Sequence, residues 1–124
     1  MTDEPPRLRG IRGATTVPAD THEHICARTI ELLDALRERN RLRDDDIVSV
    51  VFTATSDVTA AFPAVAARRA GMSGTPLLCC REMDVPGSMP RCIRVLLHAY
   101  LPSGRAARHV YLHEARSLRD DLPE

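Results

Sequence analysis

The run Cys92–Leu101, CIRVLLHAYL, alternates with the period of an extended strand. Ile93, Val95, Leu97 and Ala99 fall on one face, and Cys92, Arg94, Leu96 and His98 on the other. The first set makes a good core face. The second carries a guanidinium at mid-strand, where burial is costly unless an anion meets it. A structural ion pair or a solvated sheet face would account for Arg94 equally well on these grounds.

Residues 8–17, LRGIRGATTV, read as another strand, with small residues that permit close backbone approach. A helix follows, capped by Asp20 or Thr21 and ending near Asn40. Its Ile25, Ile30, Leu32, Leu33 and Leu36 recur at three- and four-residue steps. The β-branched run from Ile47 to Phe52 suits a strand covered on both faces. Residues 60–71 read as a short helix, with Pro63 in its first turn and Gly71 past its end. TPLLCCRE is a short strand, MDVPGSMPR a loop, and ARHVYLH a last strand that would pair with 92–101 as a hairpin. The order β-α-β-α-β-β-β indicates an α/β (α+β) domain, a mixed sheet with helices on one face. We expect a disordered tail over residues 1–7 and a single domain over 8–124, flexible from about residue 114.

A chain of 124 residues, 44% apolar, can bury a core yet leaves enough apolar surface for oligomerisation. Seventeen basic groups balance seventeen acidic ones, which argues against a nucleic-acid or membrane-surface module. All the basic residues are arginine, as codon bias in a GC-rich genome would give. The lack of lysine excludes an internal Schiff base. No phosphate-binding glycine loop or GxSxG motif occurs. Cys26, Cys79, Cys80 and Cys92 fit no zinc spacing, and His22, His24 and Cys26 read as surface polar residues. We therefore expect no metal and no cofactor. With no secretory h-region after MTDEPPR and no membrane-length apolar run, the expectation is a cytoplasmic protein with reduced thiols.

Five further positions invite chemistry. Arg12 sits mid-strand among small residues that leave space for an anion, although a solvated edge strand would also explain it. Arg68 and Arg69 close the short helix, where cations favour the dipole. Glu82 ends a strand and could accept a hydroxyl or pair with an arginine. Tyr111 has an apolar strand around it, the setting of many buried tyrosines whose hydroxyl is merely satisfied.

Taken together, RGIRGATTV, FTATSDVTAAFPAVAAR, CCREMDV, CIRVLLHAY and RHVYLHEARSLRDDL resemble the monofunctional chorismate mutases of the trimeric, α/β-barrel-like class, from about residue 9 to residue 122. The resemblance implies a homotrimer forming a pseudo-α/β barrel, with active sites in the clefts between subunits. It implies chorismate as substrate, prephenate as product, and no cofactor. By motif, Arg12 and Tyr111 would contact substrate carboxylate, and Arg94 would be the cation beside the ether oxygen. Glu82 and the backbone near Cys79 would hold the ring hydroxyl. Phe62, Ala64 and Leu118 would form the apolar wall, with Arg68 and Arg119 as cations at the mouth. Two positions depart from relatives: Val65 stands where some carry lysine, and Leu78 where some carry a polar residue. Strict alternation also puts Cys79 and Glu82 on opposite faces, so a bulge or strand end must separate them.

Such a site suits a unimolecular rearrangement that moves no proton and needs no covalent intermediate. A trimeric enamine/imine deaminase, which also holds a carboxylate with an interface arginine, and a non-catalytic metabolite-binding subunit are the alternatives.

Overall fold

In the computed structural model, which describes residues 4–119, the alternating run is a strand at the centre of a five-stranded sheet. The strands are β1 (Arg7–Thr16), β2 (Ile47–Ala54), β3 (Leu77–Arg81), β4 (Cys92–Leu101) and β5 (Val110–Tyr111), and the helices are α1 (His22–Asn40) and α2 (Pro63–Arg69). The sheet order is β3-β2-β4-β1-β5. β4 runs antiparallel to β1 and β2, whereas β3 pairs parallel with β2 and β5 parallel with β1. Two 3₁₀ segments, Asp44–Asp46 and His113–Arg119, complete the fold.

Local chemistry accounts for the helix ends. The Thr21 hydroxyl accepts the His24 N–H at 3.1 Å, so Thr21 is the α1 cap and Asp20 is freed for another task. At the other end Arg41 adopts the left-handed conformation. Pro63 opens α2, and Gly71, with φ of 98°, follows its end.

The core lies between the sheet and α1. Ile93, Val95, Leu97 and Ala99 of β4 are buried, as are Ile25, Leu32, Leu33 and Leu36 of α1. Gly13 lets β1 approach the helix: a Cβ there would lie 3.0 Å from Val95 Cγ1 and 3.2 Å from both Leu32 Cδ1 and Leu36 Cδ1. Cys26 belongs to this buried set, a correction to its reading as a surface residue; its Sγ packs 4.0 Å from the His22 ring.

The expected hairpin does not form. β5 is only Val110–Tyr111 and pairs with Gly13 and Ala14 of β1, not with β4. Both edges of β4 are occupied by β1 and β2, so the chain continues to the far side of β1. Buried Asn40 pins this crossover. Its Nδ2 donates to Arg108 O at 2.9 Å, and its Oδ1 accepts from Arg108 N at 2.8 Å.

The sheet face away from the helices is only partly covered. At one end the segment His113–Arg119 packs Ala115 and Leu118 on Ala14, Cys92 and Tyr111. Elsewhere Leu8, Leu78, Leu96 and Tyr100 are exposed. Within one chain β2 is therefore not covered on both faces: Ile47, Val50 and Phe52 are buried, but Val48 is exposed and Val51 half-buried.

Candidate active site

Glu82 lies one residue beyond β3, and its backbone N–H donates to Ala54 O at 2.9 Å. β3 ends between Cys79 and Glu82, but the two keep opposite sides: Cys79 pairs with buried Phe52, whereas Cys80, two residues before Glu82, pairs with Thr53 on the Arg94 face. From that face the Glu82 carboxylate reaches across β2 toward β4. Its Oε1 lies 3.2 Å from Arg94 Nε and accepts the Thr53 hydroxyl at 3.1 Å. Oε2 accepts the Met83 N–H at 3.3 Å. Arg94 leaves β4 on the face opposite the core, as its alternation requires, and its side chain is 47% exposed.

A cavity of about 420 Å³ opens beside this pair. Arg12, Glu82, Arg94, Tyr111 and Leu118 all line it, with Gly13, Ala14, Val51, Thr53 and Leu96 between them. The sheet register explains the convergence. Ala14 is the partner of Arg94, and Arg12 of Leu96, across the β1–β4 ladder, so both side chains of β1 share the Arg94 face. Ala14 pairs with Tyr111 on its other edge. Ala14 is thus flanked by Arg94 and Tyr111, both of which line the cavity. The Arg12 backbone N–H donates to His109 Nδ1 at 2.9 Å, tying that strand to the segment that enters β5. Nothing in the sequence singles out Thr53 and Val51, because hydroxyl and β-branched residues are ordinary strand formers.

The remaining candidates lie elsewhere on the chain. Phe62 and Cys79 line a second cavity of about 430 Å³, bounded by the loop that joins β2 to α2. Phe62 is 69% exposed, an unusual setting for an aromatic ring. Ala64 is buried in the first turn of α2, and Arg68 is exposed in its last turn. The Arg119 side chain falls outside the described residues. Asp20 holds the loop: its Oδ1 accepts the N–H groups of Thr59 and Ala60 at 2.9 and 3.0 Å, and its Oδ2 the Thr59 hydroxyl at 2.6 Å. These bonds, the hydroxyl first, hold the Asp20 carboxyl below its ordinary value.

The thiols are set against nucleophilic work. Burial pushes both Cys79 and Cys92 upward; at Cys92 this outweighs the lowering by nearby Arg94. Among the described residues no three His, Cys, Asp or Glu side chains converge as metal ligands would. The arrangement in the first cavity offers two guanidiniums, one carboxylate and one phenol around an apolar floor. It can hold an anion with a hydroxyl and present a fixed positive charge to it.

The type I chorismate mutase sequence profile matches residues 8–122. The chain belongs to the chorismate mutase type I family. It is 52% identical to the chorismate mutase AroH of Thermus thermophilus over 118 residues, covering 93% of this chain and 96% of that protein. Identity to the chorismate mutase AroH of Bacillus subtilis (strain 168) is 43% over 118 residues, with 93% and 92% covered. The solved chorismate mutase from Clostridium thermocellum superposes with a TM-score of 0.84 at 47% identity, covering 88% of this chain and 98% of that one. The mixed five-stranded sheet with helices of this chain is thus the fold of a chorismate mutase.

For a type I chorismate mutase, the division of the candidate residues between two cavities carries information. Five of them converge in the first cavity, and Phe62, Cys79, Ala64 and Arg68 do not reach it.

Proposed function

We propose that this chain is a chorismate mutase that rearranges chorismate to prephenate, using Arg94 as the key cation. The single observation that carries the site assignment is the convergence of Arg12, Glu82, Arg94 and Tyr111 on one cavity from four separate segments. The deaminase and binding-subunit alternatives lose their ground to the full-length similarity to chorismate mutases.

Chorismate carries two carboxylates, and its enolpyruvyl arm must fold over the ring before the new carbon–carbon bond can form. Arg12 and Tyr111 would hold substrate carboxylate and restrict the flexible molecule to that compact conformer. As the carbon–oxygen bond breaks, negative charge grows on the ether oxygen, and the Arg94 guanidinium stabilises it. Glu82 would fix the ring hydroxyl and favour the positive charge that spreads over the ring. Leu118 supplies apolar wall. Protons stay where they are, and the raised Cys79 and Cys92 thiols have no part in bond making.

We further infer a homotrimer with the active site in the cleft between subunits. Leu8, Leu78, Leu96 and Tyr100, 53%, 59%, 39% and 46% exposed, leave the helix-free sheet face apolar in a lone chain. Burial of that face against other copies would close a barrel-like core and give β2 its second cover. In such a trimer the Phe62–Cys79 cavity of one subunit would complete the Arg94 cavity of its neighbour, with Ala64 adding wall and Arg68 and Arg119 at the mouth. We also place the protein in the cytoplasm: its four cysteines are unpaired, as suits a reducing compartment, and no described helix is long and apolar enough to cross a membrane.

The test is to incubate purified protein with chorismate without added metal or cofactor. Loss of chorismate absorbance, with product that acid converts to phenylpyruvate, supports the proposal. A folded protein that leaves chorismate unchanged would refute it.

A further inference from the structure

We infer that Thr53 is a positioning residue that sets the Glu82 carboxylate for the reaction. The inference rests on the roles given above to Glu82 and Arg94, and extends them to a residue to which neither alternation nor motif assigns a role.

Glu82 lies just past β3, which ends at Arg81, and its backbone is held by the N–H bond to Ala54 O, which leaves the side chain to be placed. Its side chain must cross from the sheet edge toward β4, and β2 lies between. Thr53 occupies the crossing point: it is the ladder partner of Arg94 on one side and of Cys80 on the other. Partners in a ladder share a face, so the Thr53 hydroxyl stands on the Arg94 side of the sheet, inside the same cavity. From there it donates to Glu82 Oε1 at 3.1 Å, the oxygen that also lies 3.2 Å from Arg94 Nε.

One carboxylate oxygen is thus engaged by two donors. The other, Oε2, has only the longer 3.3 Å contact from Met83 N and keeps lone-pair capacity for a substrate hydroxyl. Without the Thr53 hydroxyl, Glu82 could rotate to place either oxygen on Arg94. The carboxylate would then be paired but no longer aimed. Threonine is well suited to this task, since its branched Cβ restricts χ1 and directs the hydroxyl within a strand.

The experiment is a cycle of Thr53→Val and Glu82→Ala, with Thr53→Ser as the conservative variant. Valine keeps the shape and strand propensity and removes only the donor. We expect Thr53→Val to lose on the order of tenfold in kcat with little change in KM, and Thr53→Ser to retain most activity. Alongside it, Thr53→Ala removes the donor with a smaller side chain, should valine disturb folding. In the Glu82→Ala background, removing the hydroxyl should cost less than about twofold, because the group it positions is gone. An equal loss in both backgrounds would mean a merely structural role and overturn the inference, as would near-normal kcat for Thr53→Val in folded protein. Wild-type turnover by Glu82→Ala would instead overturn the role of Glu82 itself. Impaired Glu82→Ala combined with fully active Thr53→Val would remove Thr53 alone.

Discussion

Glu82 and Arg94 meet at 3.2 Å although one lies past the end of β3 and the other within β4, with β2 between them. Their side chains are 28% and 47% exposed. A pair so open to solvent adds little to stability, about 0–1 kcal/mol. Its value lies in the charge pattern it presents to the cavity. Glu82→Gln should therefore change the urea midpoint by the equivalent of less than about 1 kcal/mol while lowering kcat clearly. A large loss of stability with intact turnover would contradict this reading.

If the cleft is shared between subunits, the two cavities should complement each other. Arg94→Ala disables the first cavity, and Phe62→Asp disables the second by adding charge to its wall. Each variant alone should be nearly inactive. Co-refolding the two should restore a fraction of activity, since some clefts then combine two intact halves. Mixed oligomers without any recovery would place both cavities in one subunit's site.

The Asp20 carboxylate binds the loop that leads to Phe62, and the carboxyl titrates below its ordinary value of 3.8. A depressed folded value means the contribution is present above the unfolded value and is lost as pH falls through the folded one. Asp20→Ala should lower the urea midpoint at pH 7. That deficit should shrink as the pH drops below 3.8. A deficit that stays constant into acid would show that the charge is not involved.

Asn40 closes α1 and binds both backbone groups of Arg108, in the crossover that delivers Tyr111. Asn40→Ala would leave a donor and an acceptor unpaired near the core, a cost of about 1–3 kcal/mol. Hydrogen exchange should quicken over residues 105–111, with KM for chorismate rising through looser placement of Tyr111. Unchanged exchange there would rule out the staple.

The most legible parts of the sequence were those governed by short-range periodicity. The alternation of Ile93, Val95, Leu97 and Ala99 places Arg94 on the open face, and Thr21 is one of the two residues that can cap α1. Long-range pairing was not legible in this way. The run after the PSGR turn reads as a hairpin partner of β4, but β1 had already taken that edge through pairs such as Arg7 with Leu101. Alternation assigns side chains to faces within one strand and says nothing about which strands become neighbours. For the same reason it could not show that Phe62 and Cys79 lie apart from Arg94 in the single chain. Cys26 looked polar beside His22 and His24, but the core took it because a thiol packs as a small apolar group.

The most direct test measures steady-state conversion of chorismate by the wild type, Arg94→Ala and Arg94→Lys, with the oligomeric state of each verified. Loss of one preorganised donor costs about 3–4 kcal/mol, so kcat of Arg94→Ala should fall by at least two to three orders of magnitude, on the order of 10²–10³. Lysine should rescue poorly, since it lacks the planar fork. Near-normal kcat for Arg94→Ala in a folded assembly would contradict the account at its centre.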